Sequence, residues 1–225
     1  MGRDNQPKHR RQARVLKRRA VRRAPYERLL IVCEGEKTEP LYINEIRRDY
    51  RLASANVQVR PSVLGTQPLQ VVEYAEHLFR NGDRARQIEP RAFDRVFTVF
   101  DRDDHRTYHA ALAKADELDN SLTNDEGKRI PVAAIASVPC FELWLLLHFE
   151  DVLAPMHRLG VLAALKKHLS GYDKGQAGNW DATKARLDTA IQRAQAKANT
   201  TGARDGTESF TNMHELVLRL VQLKD

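Results

Sequence analysis

The sequence predicts an α/β protein: a mostly parallel four-stranded sheet flanked by helices, with a helical C-terminal part and a basic N-terminal arm. Three observations predict it. Apolar runs of strand length alternate four times with stretches of helical periodicity between residues 29 and 150. Two of those runs, Leu29–Cys33 and Val96–Phe100, stop abruptly in carboxylates. Beyond residue 150 every periodic stretch has helical spacing. Alternating strands and helices build parallel sheets, and right-handed crossovers bring all the strand ends to one edge.

Each element has its own signal. Leu29-Leu30-Ile31-Val32-Cys33 reads as a fully buried strand that runs into Glu34-Gly35-Glu36-Lys37-Thr38-Glu39-Pro40. Gly35 suits a tight turn, Thr38 a helix N-cap and Pro40 a first helical turn. Tyr42, Ile43, Ile46 and Tyr50 then follow at helical spacing. Val57–Val59 is a weaker second strand. After Gly65 and Pro68, a helix carries Val71, Val72, Ala75, Leu78 and Phe79, and stops near Gly82. Val96–Phe100 is the third strand, ending in Asp101, Asp103 and Asp104, and it feeds a helix bearing Ala111, Ala115 and Leu118. Residues 120–129 read as a loop, and Pro131–Ala136 as the fourth strand. The segment Pro139–Phe149 is apolar all round and therefore a buried helix, yet Glu142 sits in its first turn. Leucines 159, 162, 165 and 169 mark the next helix; Leu187, Ile191, Ala194 and Ala198 mark another. Met213, Leu216, Val217, Leu220 and Val221 mark the last, with Asn212 as its cap and Glu215 three residues on. Residues 171–178 and 200–209 read as polar loops. The chain divides into an arm (1–27), an α/β core (28–150) and a helical extension packed on it (151–225).

Charge is placed unevenly. Residues 1–28 hold eleven basic and two acidic side chains, a net +9, while the whole chain is +7, so residues 29–225 come to −2. Arg10, Arg11, Arg14, Lys17, Arg18, Arg19, Arg22 and Arg23 concentrate the excess in a segment suited to a phosphate backbone. The alternative is a solvated tail. An anionic membrane surface fits less well, because the arm lacks an apolar face, and no apolar stretch is long enough to span a bilayer. The start is polar, without a signal peptide, and Cys33 and Cys140 sit in apolar runs with no metal-ligand spacing. Both fit buried, reduced thiols of a cytoplasmic protein.

The chemistry lies at the strand ends. Glu34, Asp101 and Asp103 at one sheet edge would repel one another and raise each other's pKa. A divalent cation removes the conflict: Asp-x-Asp offers hard oxygens to Mg²⁺ or Mn²⁺, which keeps positions for water and substrate phosphate. The alternative is a set of surface carboxylates at strand ends. Glu142, a buried charge near the same edge, reads either as ligand or support of that site, or as ordinary helix-start electrostatics.

These residues resemble a known group. Leu30-Ile31-Val32-Cys33-Glu34-Gly35 with Thr38-Glu39-Pro40-x-Tyr42, then Phe100-Asp101-Arg102-Asp103, resemble the Toprim catalytic domain, a Rossmann-like fold. The block Ser137–Phe149 (SVPCFELWLLLHF), Tyr172-x-Lys174 and Thr211-Asn212-Met213-His214 resemble the RloB-like family of bacterial restriction loci. The resemblance covers nearly the whole chain from about residue 28. It implies Glu34 as general acid or base, also touching metal, and Asp101 and Asp103 as Mg²⁺ ligands; it leaves the role of Glu142 open. Val138 departs from the expected Asn. The family's association with phage defence implies a nuclease acting on DNA or RNA in abortive infection. It also leaves room for a second protein of the defence locus and for a homo-oligomer.

Other residues carry weaker readings. Lys37 and Lys174 could meet substrate phosphate, although Lys37 reads as well as a solvated lysine and Lys174 lies in a polar loop. His105 is either a water-orienting group or a surface histidine; Trp144 and His148, one turn apart on a buried helix, read as packing. The runner-up function is a non-catalytic nucleic-acid-binding or sensor subunit. A phosphatase with Asp101 as nucleophile fits less well, because its Asp-x-Asp usually follows the first strand.

Overall fold

The computed structural model describes residues 26–199 and 203–223. Four strands form the parallel part of the sheet: β1 (Leu29–Cys33), β2 (Val57–Pro61), β3 (Arg95–Asp101) and β6 (Val132–Val138). Their order is β2-β1-β3-β6. The sheet is five-stranded, one more than the sequence suggested. The extra strand, β7 (Phe210–Thr211), pairs antiparallel with Ser137 and Val138, and two residues are too few to show a periodicity of their own. The segment expected to be a loop at residues 120–129 holds a small hairpin of β4 (Leu122–Thr123) and β5 (Arg129–Ile130).

Successive strand residues point to opposite faces, so each strand feeds two cores. Ile31, Cys33, Phe97, Val99 and Ile135 pack on one side with helix α1 (Thr38–Asp49) and the C-terminal helices. Leu30, Val32, Val96, Phe100 and Ala134 pack on the other with α2 (Pro68–Asn81) and α3 (Tyr108–Leu118). Helix α4 (Glu142–Leu146) lies wholly inside the first core, shorter than the apolar run that encodes it. Helices α5 (Arg158–His168), α6 (Asn179–Thr183), α7 (Leu187–Ala198) and α8 (Met213–Val221) complete that core, so the helical part and the α/β body share one interior. Trp144 and His148 pack inside it edge to face, as expected of a buried helix; burial lowers the His148 pKa to about 4 and keeps the ring neutral.

Two expected caps take other forms. Thr38 is the first residue of α1 rather than its cap, and Lys37 precedes it without a capping bond. Asn212 precedes α8, but its side chain serves the sheet: the carboxamide accepts from Ala136 N–H (2.7 Å) and donates to Ala134 C=O (2.9 Å). It continues the pairing of β6 where β7 stops. Arg28, counted above with the cationic leader, belongs to the body. It is buried and forks onto Asp94 and Asp125 at 2.6–3.0 Å. The other basic residues singled out in the arm, from Arg10 to Arg23, lie outside the described residues. Among the described residues no helix is long and apolar enough to cross a membrane.

Candidate functional site

The parallel strands end together, and the chain after each end folds back along the same edge. Glu34 follows β1 directly and its N–H bonds to Val99 C=O, which extends the β1–β3 ladder by one rung. Its side chain turns onto β3: Oε2 accepts the Asp101 N–H at 2.9 Å, and Oε1 lies 3.0 Å from His105 Nε2. Glu34 and Asp101, separated by 67 residues, are thus brought together. His105, which the sequence left between water-orienting group and surface histidine, is partly buried against Glu34.

Asp101 ends β3 opposite Ser137 of β6. Burial, followed by the charges of Glu39, Glu34 and Glu142, pushes its pKa well above the ordinary carboxylate value. Asp103 sits in the following turn at a left-handed φ of 35°, its N–H on Pro139 C=O. Its Oδ2 lies 3.2 Å from Arg158 Nη1, and its Oδ1 is buried without a hydrogen-bond partner among the described residues. Glu34 is also raised, by burial first, with the Asp101 N–H and His105 opposing.

Glu142 lies in the first turn of α4 and is 1% exposed. Its Oε1 accepts from the Tyr172 hydroxyl at 2.9 Å and pairs with Lys174 Nζ at 3.2 Å; its Oε2 has no hydrogen-bond partner among the described residues. Burial lowers the Lys174 pKa and Glu142 raises it, with a net rise, so this lysine stays charged. Lys174 is therefore at the edge, held by a carboxylate. Lys37 is there too, its stem against Gly175. A Cβ at Gly175 would stand 2.9 Å from Lys37 Cδ, and its φ of 77° disfavours any side chain.

One carboxylate was missed. Glu39, 8% exposed, enters from the first turn of α1, and burial with the charges of Glu34 and Glu142 raises its pKa to about 7. A Cβ on Gly35 would come within 3.0 Å of its Oε2, which explains the glycine after Glu34 better than turn geometry does. An acidic residue in a first helical turn normally reads as dipole complementation. The available signal was the glycine four residues earlier. Arg158 gave no signal, and the Tyr172-x-Lys174 motif did not say what Tyr172 touches, since their partners are 55 and 30 residues away.

Glu34, Glu39, Asp101, Asp103, Lys37 and Lys174 all line one open cleft of about 400 Å³. A slightly larger cleft, about 460 Å³, opens beside the outer edge of β6 near Asp119, Arg204 and Glu215. The site belongs to the former, because strand C-termini and the raised carboxylates converge there. Among the described residues no group of three or more His, Cys, Asp or Glu side chains is arranged to hold a metal ion: Asp103 is paired with Arg158 and Glu34 with His105. What fits a hard divalent cation is the donor chemistry, all carboxylate oxygen, together with the unpartnered Oδ1 of Asp103 and the raised Asp101.

Fold and edge together define an α/β protein with a carboxylate-lined cleft at the ends of its parallel strands. The chain belongs to the RloB-like protein family, whose model matches residues 29–220. That span holds the whole cleft. No curated protein and no solved structure matches the chain.

Proposed function

We propose that this protein is a Toprim-type, Mg²⁺- or Mn²⁺-dependent nuclease that hydrolyses phosphodiester bonds of DNA or RNA in anti-phage defence. The observation that carries the reading is the meeting of Glu34 with the Asp101 end of β3, beside Asp103 and inside a cleft of repelling carboxylates. Asp101, Asp103 and Glu34 would hold the cation. Once bound, it supplies charge to a phosphoryl oxygen and lowers the pKa of a water. Glu34, whose pKa is raised by burial, is suited to take the proton of the attacking water, and His105 holds one of its oxygens in place. Lys37 and Lys174 stand at the cleft wall to meet the phosphate, and the basic residues from Arg10 to Arg23 would hold the strand away from the site.

The test is hydrolysis of DNA and RNA panels with Mn²⁺ by the parent, Asp101→Ala and Glu34→Ala proteins. Loss of cleavage in both variants is expected, and equal rates in all three would remove the proposal. One observation favours a second reading, a non-catalytic nucleic-acid-binding or sensor subunit. The pairs Asp103–Arg158 and Glu142–Lys174 neutralise two of the carboxylates from within. That reading predicts strand binding that survives Asp103→Ala, with no metal-dependent turnover on any substrate.

A further inference from the structure

The helical part sends two cations to the carboxylate edge, and they are held in different ways. Lys174 faces a buried Glu142 that Tyr172 also serves, so that pair is built into the interior. Arg158, the first residue of α5, reaches Asp103 through one nitrogen at 3.2 Å, and its side chain is 48% exposed. A half-exposed, single-point ion pair adds little to stability, so folding alone gives no reason for it. The backbone beneath is fixed at both ends. Asp103 is tied to Pro139, and the start of α5 is capped by the His157 ring, which accepts from Leu159 N–H. Only the long arginine side chain between them is free to change partners.

We propose that Arg158 is a substrate-binding residue that leaves Asp103 for a phosphate oxygen of the nucleic-acid backbone when a divalent cation takes the Asp103 carboxylate. This rests on the reading above of Asp103 as a metal ligand in a nucleic-acid-cleaving protein. The guanidinium on Oδ2 and a divalent cation entering at the unpartnered Oδ1 compete for the single charge of the Asp103 carboxylate, and the doubly charged, hard ion is the better match for it. The displaced guanidinium remains tethered by α5 beside Asp103, which lines the cleft. A phosphate bound there offers paired oxygens in the geometry its five donors fit, which Asp103 engages at only one point. Arg158 thus passes from one anion to another, and each positive charge at the edge keeps a negative partner throughout. It also arrives where negative charge gathers on a phosphoryl group.

The experiment uses the full chain with Arg158→Ala and Arg158→Lys, and needs no turnover. Mn²⁺ affinity is measured by calorimetry on the protein alone. Affinity for a fluorescein-labelled 20-nucleotide single strand, as DNA and as RNA, is measured by anisotropy in a Glu34→Gln background across a salt series. With Arg158→Ala, loss of the competing cation tightens Mn²⁺ binding severalfold. Strand affinity falls about tenfold and the salt slope becomes shallower by about one. Arg158→Lys keeps an intermediate strand affinity. Mn²⁺ and strand affinities both within twofold of the parent overturn the proposal while the nuclease reading stands. Weakening of both in Arg158→Ala, with a lowered melting temperature, makes Arg158 a structural strut and overturns it equally. A parent that binds neither Mn²⁺ nor the strand removes the underlying reading, and the proposal with it.

Discussion

The Tyr172 hydroxyl donates to Glu142 Oε1 at 2.9 Å, joining the loop after α5 to the first turn of α4. Burial and the neighbouring carboxylate raise the Tyr172 pKa, so the phenol stays protonated and remains a donor. Glu142 thereby has both Tyr172 and Lys174 as partners in a core where an unpaired carboxylate is costly. Tyr172→Phe removes that donor without changing shape and leaves Lys174 as the hydrogen-bonding partner. A hydrogen bond to a buried charge is worth about 1.5–3 kcal/mol, so a loss of that size is expected in urea denaturation. An unchanged midpoint would mean that Glu142 does not depend on Tyr172.

Glu39 makes stability depend on pH. Its folded pKa of about 7 lies above the ordinary 4.5, so in the window between the two the folded state binds the proton that the unfolded state releases. Its contribution is fully present below pH 4.5 and is lost as pH rises through about 7. The loss has an upper limit of about 3 kcal/mol at 1.36 kcal/mol per pKa unit. Asp94 and Asp83, whose pKa values are lowered, act in the opposite sense only below about pH 4, and the buried His148 and His214 do so up to about pH 6.5, so the Glu39 loss is unopposed by them only above that. Denaturation midpoints measured in EDTA should fall between about pH 6.5 and pH 8, a fall that the raised Asp101 and Glu34 share, and Glu39→Gln should reduce it. Millimolar Mn²⁺ should restore much of the loss at pH 8; a profile indifferent to both changes would place Glu39 outside the electrostatics of the cleft.

Arg28 ties the start of β1 to the turn before β3 and to the β4–β5 hairpin through Asp94 and Asp125. Arg28→Ala strands two acidic groups that are themselves partly solvated. The expected cost is about 3 kcal/mol, at the lower end for a broken buried pair. Nucleic-acid affinity should hardly change, because this guanidinium faces inward. Thermal denaturation and strand binding on the same variant separate the two effects; reduced binding with unchanged stability would return Arg28 to the leader.

Replacing Arg14, Lys17, Arg18 and Arg22 together with alanine removes four of the basic charges concentrated before residue 24. If this segment engages phosphates, strand affinity should fall by at least about tenfold at low salt, and the dependence of log K on log salt should become distinctly shallower. Melting temperature should stay put. Equal slopes for parent and variant would leave those residues as a solvated tail.

The parallel sheet was legible because burial on both faces leaves near-continuous apolar runs, and β1 has all five residues buried. Convergence of Glu34 with Asp101 followed from topology alone, since parallel strands must end on one edge. What escaped was whatever depends on a partner remote in sequence and irregular in backbone. His105 looks like a surface residue until Glu34, 71 residues earlier, is folded against it. Arg158 meets an aspartate in a turn whose left-handed φ no pattern announces. Glu39 was hidden by the ordinariness of an acid at a helix start. Asn212 holds the N-cap position of α8 as expected, but sequence spacing cannot say whether a short amide turns along its own helix or, as here, across to a neighbouring strand.

That last choice has a consequence for how the molecule is completed. The amide of Asn212 occupies the two rungs on β6 that a longer final strand would have filled. Until α8 docks, the peptide groups of Ala134 and Ala136 stand bare to any passing chain. A protein truncated before residue 210 would carry that template permanently and should polymerise edge to edge, visible as growing light scattering. The segment from Phe210 to Val221 is thus also the stopper of the sheet.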